Sequence, residues 1–130
     1  MIETVIAGMK LTMPDARQII NMGGPHIGDA FLGTELMAKD CIVGNFVYQE
    51  KTGFLFFVKY HRINYYQGFT INFYDIKNKL EYEFDREFSI VHLGNFISEN
   101  KLEIYPAFHG EFKNTVQIFD LDEEDFSQIS

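Results

Sequence analysis

At 130 residues and 15.2 kDa the chain has the length of a single domain and is too short for two ordinary cores. Hydrophobic residues make up 46% and aromatics 16%, including 14 Phe and 7 Tyr, which supports a packed core and excludes a disordered chain despite the net charge of −8. A pI near 4.8 speaks against wrapping of nucleic-acid phosphates, the lack of any apolar run of roughly 18 residues speaks against a membrane helix, and one cysteine excludes an internal disulfide or a Cys-rich zinc site.

The opening Met1-Ile2-Glu3-Thr4 carries neither a basic leader nor a long apolar stretch. The expectation is a cytoplasmic protein without a secretory signal. All five Met lie within the first 37 positions, and aromatic density rises from Phe46 onward. Residues 1–40 therefore look like an elaborated lead-in and the rest like the body of one domain spanning 1–130. Residues 2–13 are β-branched and apolar with a break at Gly8, which predicts one interrupted strand or two short ones. Residues 14–22, opening on Pro14, suit a short helix, because proline is tolerated in a first turn. Gly23-Gly24-Pro25 ends it, and a short strand covers residues 27–32.

The body has a clearer pattern. Residues 41–49 and 54–63 are strand-like on both faces and flank Glu50-Lys51-Thr52-Gly53, a four-residue hairpin loop. Strands apolar on both faces are central ones. Residues 69–76 and 80–88 flank Lys77-Asn78-Lys79, residues 96–97 and 102–105 flank Ser98-Glu99-Asn100-Lys101, and residues 112–119 complete the sheet. The fold class expected is mainly β: a single-domain antiparallel sandwich or barrel with one or two short N-terminal helices. Its core includes Ile42, Phe46, Phe56, Val58, Ile71, Phe73, Tyr82 and Phe84.

Catalytic and metal patterns are weak. Gly23-Gly24-Pro25-His26-Ile27-Gly28 is neither a dinucleotide fingerprint nor a P-loop. Ser89, Ser98, Ser127 and Ser130 sit in no nucleophile elbow. His26, His61, His92 and His109 have no chelating spacing, so no metal or cofactor is expected. His61, within Tyr60-His61-Arg62, is expected to be partly buried and hydrogen-bonded. Cys41 opens an apolar strand, where free cysteine packs as a small hydrophobe. Asp120-Leu121-Asp122-Glu123-Glu124-Asp125 resembles the start of a calcium loop, but Asp125 replaces the turn glycine and no glutamate can follow at position twelve. Residues 120–130 are expected to be a solvated acidic tail. The chain is expected not to be an enzyme.

Charge is the sharpest signal. Residues 1–80 hold seven acids against eight bases, and residues 81–130 hold twelve against three, so the whole excess is C-terminal. On a strand over 80–88, alternation sends Leu80, Tyr82, Phe84 and Phe88 to the core and Glu81, Glu83, Asp85 and Glu87 outward. Beside that row the preceding strand offers Thr70, Asn72 and Tyr74, none of them basic. The row is therefore expected to be exposed and unneutralised. It serves either as a solubilising face or, with Asp120, Asp122, Glu123, Glu124 and Asp125 and an anchoring Tyr74, as a docking face for a basic protein.

Gly23-Gly24-Pro25, Val43-Gly44-Asn45-Phe46, Phe56-Phe57-Val58-Lys59-Tyr60 and the run from Phe119 to Phe126 resemble, loosely, the small acidic immunity proteins of bacterial polymorphic toxin systems. The likeness spans most of residues 23–126 without a defining motif and carries over no binding residue. It implies a cytoplasmic, non-enzymatic protein that neutralises a cognate toxin, often a basic nuclease. The alternatives are a small-ligand-binding β-barrel or an enzyme using converging histidines. A concave apolar pocket distinguishes a ligand binder from an inhibitor with a filled core.

Overall fold

In the computed structural model, residues 2–18, 26–63, 66–106 and 116–129 are described. The first hairpin pairs β1 (Ile2–Ile6) with β2 (Met9–Met13). Its two-residue turn, Ala7-Gly8, has φ of 51° and 77°, the mirror-image geometry that suits the twist of paired strands. The reading of two short strands is therefore correct, whereas residues 14–18, the described part of the expected helix over 14–22, hold no helix. Pro14 and Asp15 form a turn, and β3 (Arg17–Gln18) pairs with the start of β4 (His26–Leu32). The proline that seemed to open a helix instead follows β2 into a reversal, and pairing to β4 captures the next residues. A Cβ on Gly28 would sit 2.9 Å from the Ala16 Cα, so only glycine lets the two backbones approach this closely. Residues 19–25, with the Gly23-Gly24-Pro25 turn, lie outside the described residues.

Next, β5 (Glu35–Ile42) returns along β4, and β6 (Val47–Gln49) opens the hairpin to β7 (Phe54–Ile63). The single strand expected over 41–49 is thus two, parted by a turn in which Gly44 has φ of 75°. Asn45 holds that turn in place: its side-chain amide donates to the Leu93 carbonyl at 3.1 Å, and its carbonyl oxygen accepts from the Leu93 amide at 2.8 Å. The loop at 50–53 is as expected, closed by the Gly53 amide on the Gln49 carbonyl.

The body continues as β8 (Tyr66–Asp75) and β9 (Leu80–Phe88), then β10 (His92–Ser98), β11 (Lys101–Tyr105) and β12 (Gln117–Asp120), and finally β13 (Phe126–Gln128). Residues 107–115, which include His109 and the start of the last expected strand, lie outside the described residues. No helix occurs among the described residues.

Strands pair antiparallel in two sheets. The larger runs β1-β2-β4-β5-β7-β8-β9-β13, with β3 and β6 beside β4 and β7, and it does not close into a barrel; the smaller is β10-β11-β12. One core cluster joins Phe56, Val58, Ile71, Phe73 and Phe84 of the larger sheet to Leu93, Leu102, Ile104 and Phe119 of the smaller. The other face of β7 and β8 gives Leu55, Phe57 and Tyr74 to a second cluster with Leu11, Met13, Met37 and Cys41. Of the expected core residues, Phe46 and Tyr82 are only partly buried.

Candidate functional site

The acidic row sits where alternation places it, but half of it is internal. Asn72 stands opposite Glu83 and Tyr74 opposite Glu81, as the apolar pattern requires. The correction comes from one strand further away. Thr70 lies between Lys59 of β7 and Glu87 of β9, and long side chains on β7 reach past β8 to the acids. Lys59 Nζ is 3.1 Å from Glu81 Oε2, and His61 Nε2 is 2.9 Å from Glu83 Oε1. Glu81 is 3% exposed, so it is neither outward nor unpaired.

Asn72 links the two pairs by donating its amide to Glu81 Oε2 at 2.9 Å and Glu83 Oε1 at 3.3 Å. Thr70 donates to Asn72 Oδ1 at 2.7 Å, and its oxygen also lies 2.9 Å from His61 Nε2. The result is a polar lane across three strands. It is dry at Lys59–Glu81 and opens toward water at His61–Glu83, whose side chains are 29% and 25% exposed. His61 is partly buried and hydrogen-bonded, as expected. One imidazole nitrogen engages both the hydroxyl and the carboxylate, whereas a relay would use the two ring nitrogens separately. With the hydroxyl buried as well, the lane ties β7, β8 and β9 together. An internal ion pair adds little net stability, because desolvation offsets attraction.

Tyr74 is also not the outward anchor expected: it packs in the second core cluster. Burial raises its phenol above the ordinary value, the Glu35 carboxylate adds to the rise, and Lys79 opposes it. Burial likewise pushes the Cys41 thiol up, helped by Glu81 and opposed by Lys59. Cys41 is a packed hydrophobe with a strongly disfavoured thiolate.

The outer half of the row behaves differently. Beyond Glu83, an irregularity in β9 sets Glu87 opposite Thr70, and Asp85 and Glu87 are exposed. The tail lies against them: it turns at 121–123 and forms β13, whose Phe126 pairs with Phe84. Its end is therefore held by pairing, while Asp122, Glu123 and residues 125–129 are exposed, in keeping with the solvated tail expected. The Asp85 amide donates to the Asp125 carbonyl at 2.9 Å. Asp120 faces Lys101 at 3.8 Å, Glu124 faces Arg86 at 3.5 Å, and Asp122 accepts from the Asn100 side-chain amide. Glu123 and Asp125 are exposed.

This tail also forms one lip of an open groove of about 620 Å³ that alternation could not reveal. Its floor is Phe54, Phe56, Phe73 and Phe84, with Leu121 and Phe126 from the tail. Phe126 meets Phe73 and Phe84 edge-on at 5.3 and 5.4 Å between centroids, geometry that aromatic pairs favour. Gln49, Thr52, Ser98, Glu99, Asn100 and Asp122 form the polar rim. The one sequence clue was the phenylalanine excess itself. The groove draws on the turns before β7, β11 and β13, which are far apart in the chain.

His26 is exposed and His92 partly buried, and among the described residues no three His, Cys, Asp or Glu side chains converge as metal ligands. No described helix is long and apolar enough to cross a membrane. Comparison with protein-family models, curated proteins and solved structures finds no match to this chain.

Proposed function

We propose that the chain is a non-enzymatic binding protein, an acidic inhibitor or immunity-type protein that docks on a basic protein partner such as a toxin nuclease. The observation that carries this reading is the aromatic groove whose lip is the acidic tail. Leu121, Asp122 and Phe126 line it, and Glu123 and Asp125 stand between them in the chain. Charge and apolar anchoring thus meet at one place. The C-terminal acid excess steers a cationic partner toward this end. An aliphatic or aromatic side chain of the partner then supplies most of the binding energy by filling the groove. A cytoplasmic setting belongs to the same reading. The partner-binding set contracts accordingly. Glu81, Glu83 and Tyr74 serve the internal lane and core, while Asp85, Glu87 and the tail acids remain candidates.

A small-ligand function is the second reading, favoured by the groove's volume, which falls within the roughly 300–1,000 Å³ of small-molecule sites. Affinity capture from the native host with three proteins tests the first. Wild type is expected to retain a basic protein that salt weakens. Glu123→Lys with Asp125→Lys, and separately Thr52→Trp, which fills the groove, are expected to lose it. Retention of the same protein by both variants overturns the reading.

A further inference from the structure

A second pocket, of about 400 Å³ and partly open to solvent, lies on the other core cluster and shares no lining residue with the acidic groove. Ile6 of β1, Leu11 and Met13 of β2, and Phe46 and Tyr48 around the start of β6 form its wall. Gly44 completes the wall, and a Cβ built there would meet no atom within 4 Å. We propose that this cavity binds one small, uncharged, largely apolar molecule of aromatic-ring dimensions.

Three observations select that occupant. The volume lies near the lower end of the range for small-molecule sites, about 300–1,000 Å³. Among the described residues no charged side chain lines the pocket, so a charged ligand would give up hydration there without a counter-ion in the wall. The lining side chains are of the kind that receive a ring. Phe46, already 6.2 Å from the Phe57 ring centroid, offers an aromatic surface, and the Met13 thioether adapts to irregular shapes. Thr4 and Tyr48 are the hydroxyl-bearing residues of the wall, the groups available to orient a single hydroxyl or carbonyl on the ligand.

The test is a fluorescence titration with the neutral probe N-phenyl-1-naphthylamine, run beside its anionic relative 8-anilino-1-naphthalenesulfonate. Wild type is expected to bind the neutral probe saturably at one site, and the anionic one at least tenfold more weakly. Ile6→Trp, which fills the cavity, is expected to weaken the neutral probe at least tenfold. Thr52→Trp, which fills the acidic groove, should leave it unchanged. Thr4→Trp, at an exposed position, repeats the cavity test if Ile6→Trp does not fold. Non-saturable binding, equal binding of the anionic probe, or loss in Thr52→Trp overturns the proposal. The acidic groove could still dock a partner in each of those cases, so the two readings fail separately.

Discussion

Over residues 69–73 the two faces of β8 are equally buried and chemically opposite. Phe69, Ile71 and Phe73 look into a core of stacked and edge-on rings shared with the smaller sheet. One residue away on each side, Thr70 and Asn72 look into a lane of two acid–base pairs, and both are as buried as the rings. Burial alone therefore does not tell which face holds the fold together. The aromatic face stabilises by removing apolar area from water and by dispersion, terms that need no exact partner. The polar face gains little net energy but punishes any misalignment, since each group lost leaves another unsatisfied. One face is therefore expected to supply stability, and the other to specify the register of β7, β8 and β9.

The sharpest break of that comparison is on the aromatic face. Phe84 is 1% exposed and touches Phe73, Phe119 and Phe126. Phe84→Ala is expected to cost about 4 kcal/mol by denaturant unfolding. Phe126→Ala, on a half-exposed ring, should cost far less. On the polar face, Glu81→Leu strands the Lys59 ammonium and should cost about 3 kcal/mol. Adding Lys59→Met to it should recover most of that loss, as replacing both members of an internal pair often does. Failure of the double variant to recover would mean that the pair contributes stability as well as register.

Cys41 sharpens the comparison through pH. Its thiol is raised above the ordinary 9.0, so above that pH the unfolded chain sheds a proton that the folded chain keeps. Stability is then full below pH 9 and falls as pH rises, by up to about 1.4 kcal/mol per pH unit from this group. The gap in unfolding free energy between wild type and Cys41→Ala, measured from pH 8 to 10.5, should narrow accordingly. Tyr74 shifts in the same direction and is common to both proteins, so it cancels from the difference. The smallest effect belongs to the tail: Glu123→Lys with Asp125→Lys should change stability by no more than about 0.5 kcal/mol.

The strands from 54 to 88 were legible because alternation, β-branched and aromatic content and turn residues agreed along them. Residues 35–40 were not, since β5 carries an irregularity in its pairing to β4 and Asp40 adopts φ of 56°, which breaks the alternation. Residues 14–18 misled because Pro14 suits a first helical turn and a reversal equally well. For the site, the side of the sheet taken by Glu81 and Glu83 was readable, along with their immediate neighbours. What escaped was the next strand over, although Lys59 and His61 share one parity along β7. A side chain that long spans a neighbouring strand, so neutralisation of a charged row has to be sought two strands away. The tail acids were visible in the sequence, while the groove beside them depends on loops that only the fold brings together.

The short pairing of β13 has a kinetic consequence. Among the described residues, 126–128 pair with β9, framed by the Asp125 carbonyl on one side and the Ile129 amide donating to the Glu81 carbonyl on the other. All three are exposed, and beyond the backbone pairing the strand end rests on the Phe126 ring against Phe73, Tyr82 and Phe84. When they peel, Phe126 leaves with them and the groove loses a wall. Amide hydrogen exchange there should accordingly be among the fastest of the paired strands and should slow when the groove is filled. A ligand packed on Phe126 is then expected to hold this strand end down, and lengthening the pairing beyond residue 128 is expected to steady the same wall without one.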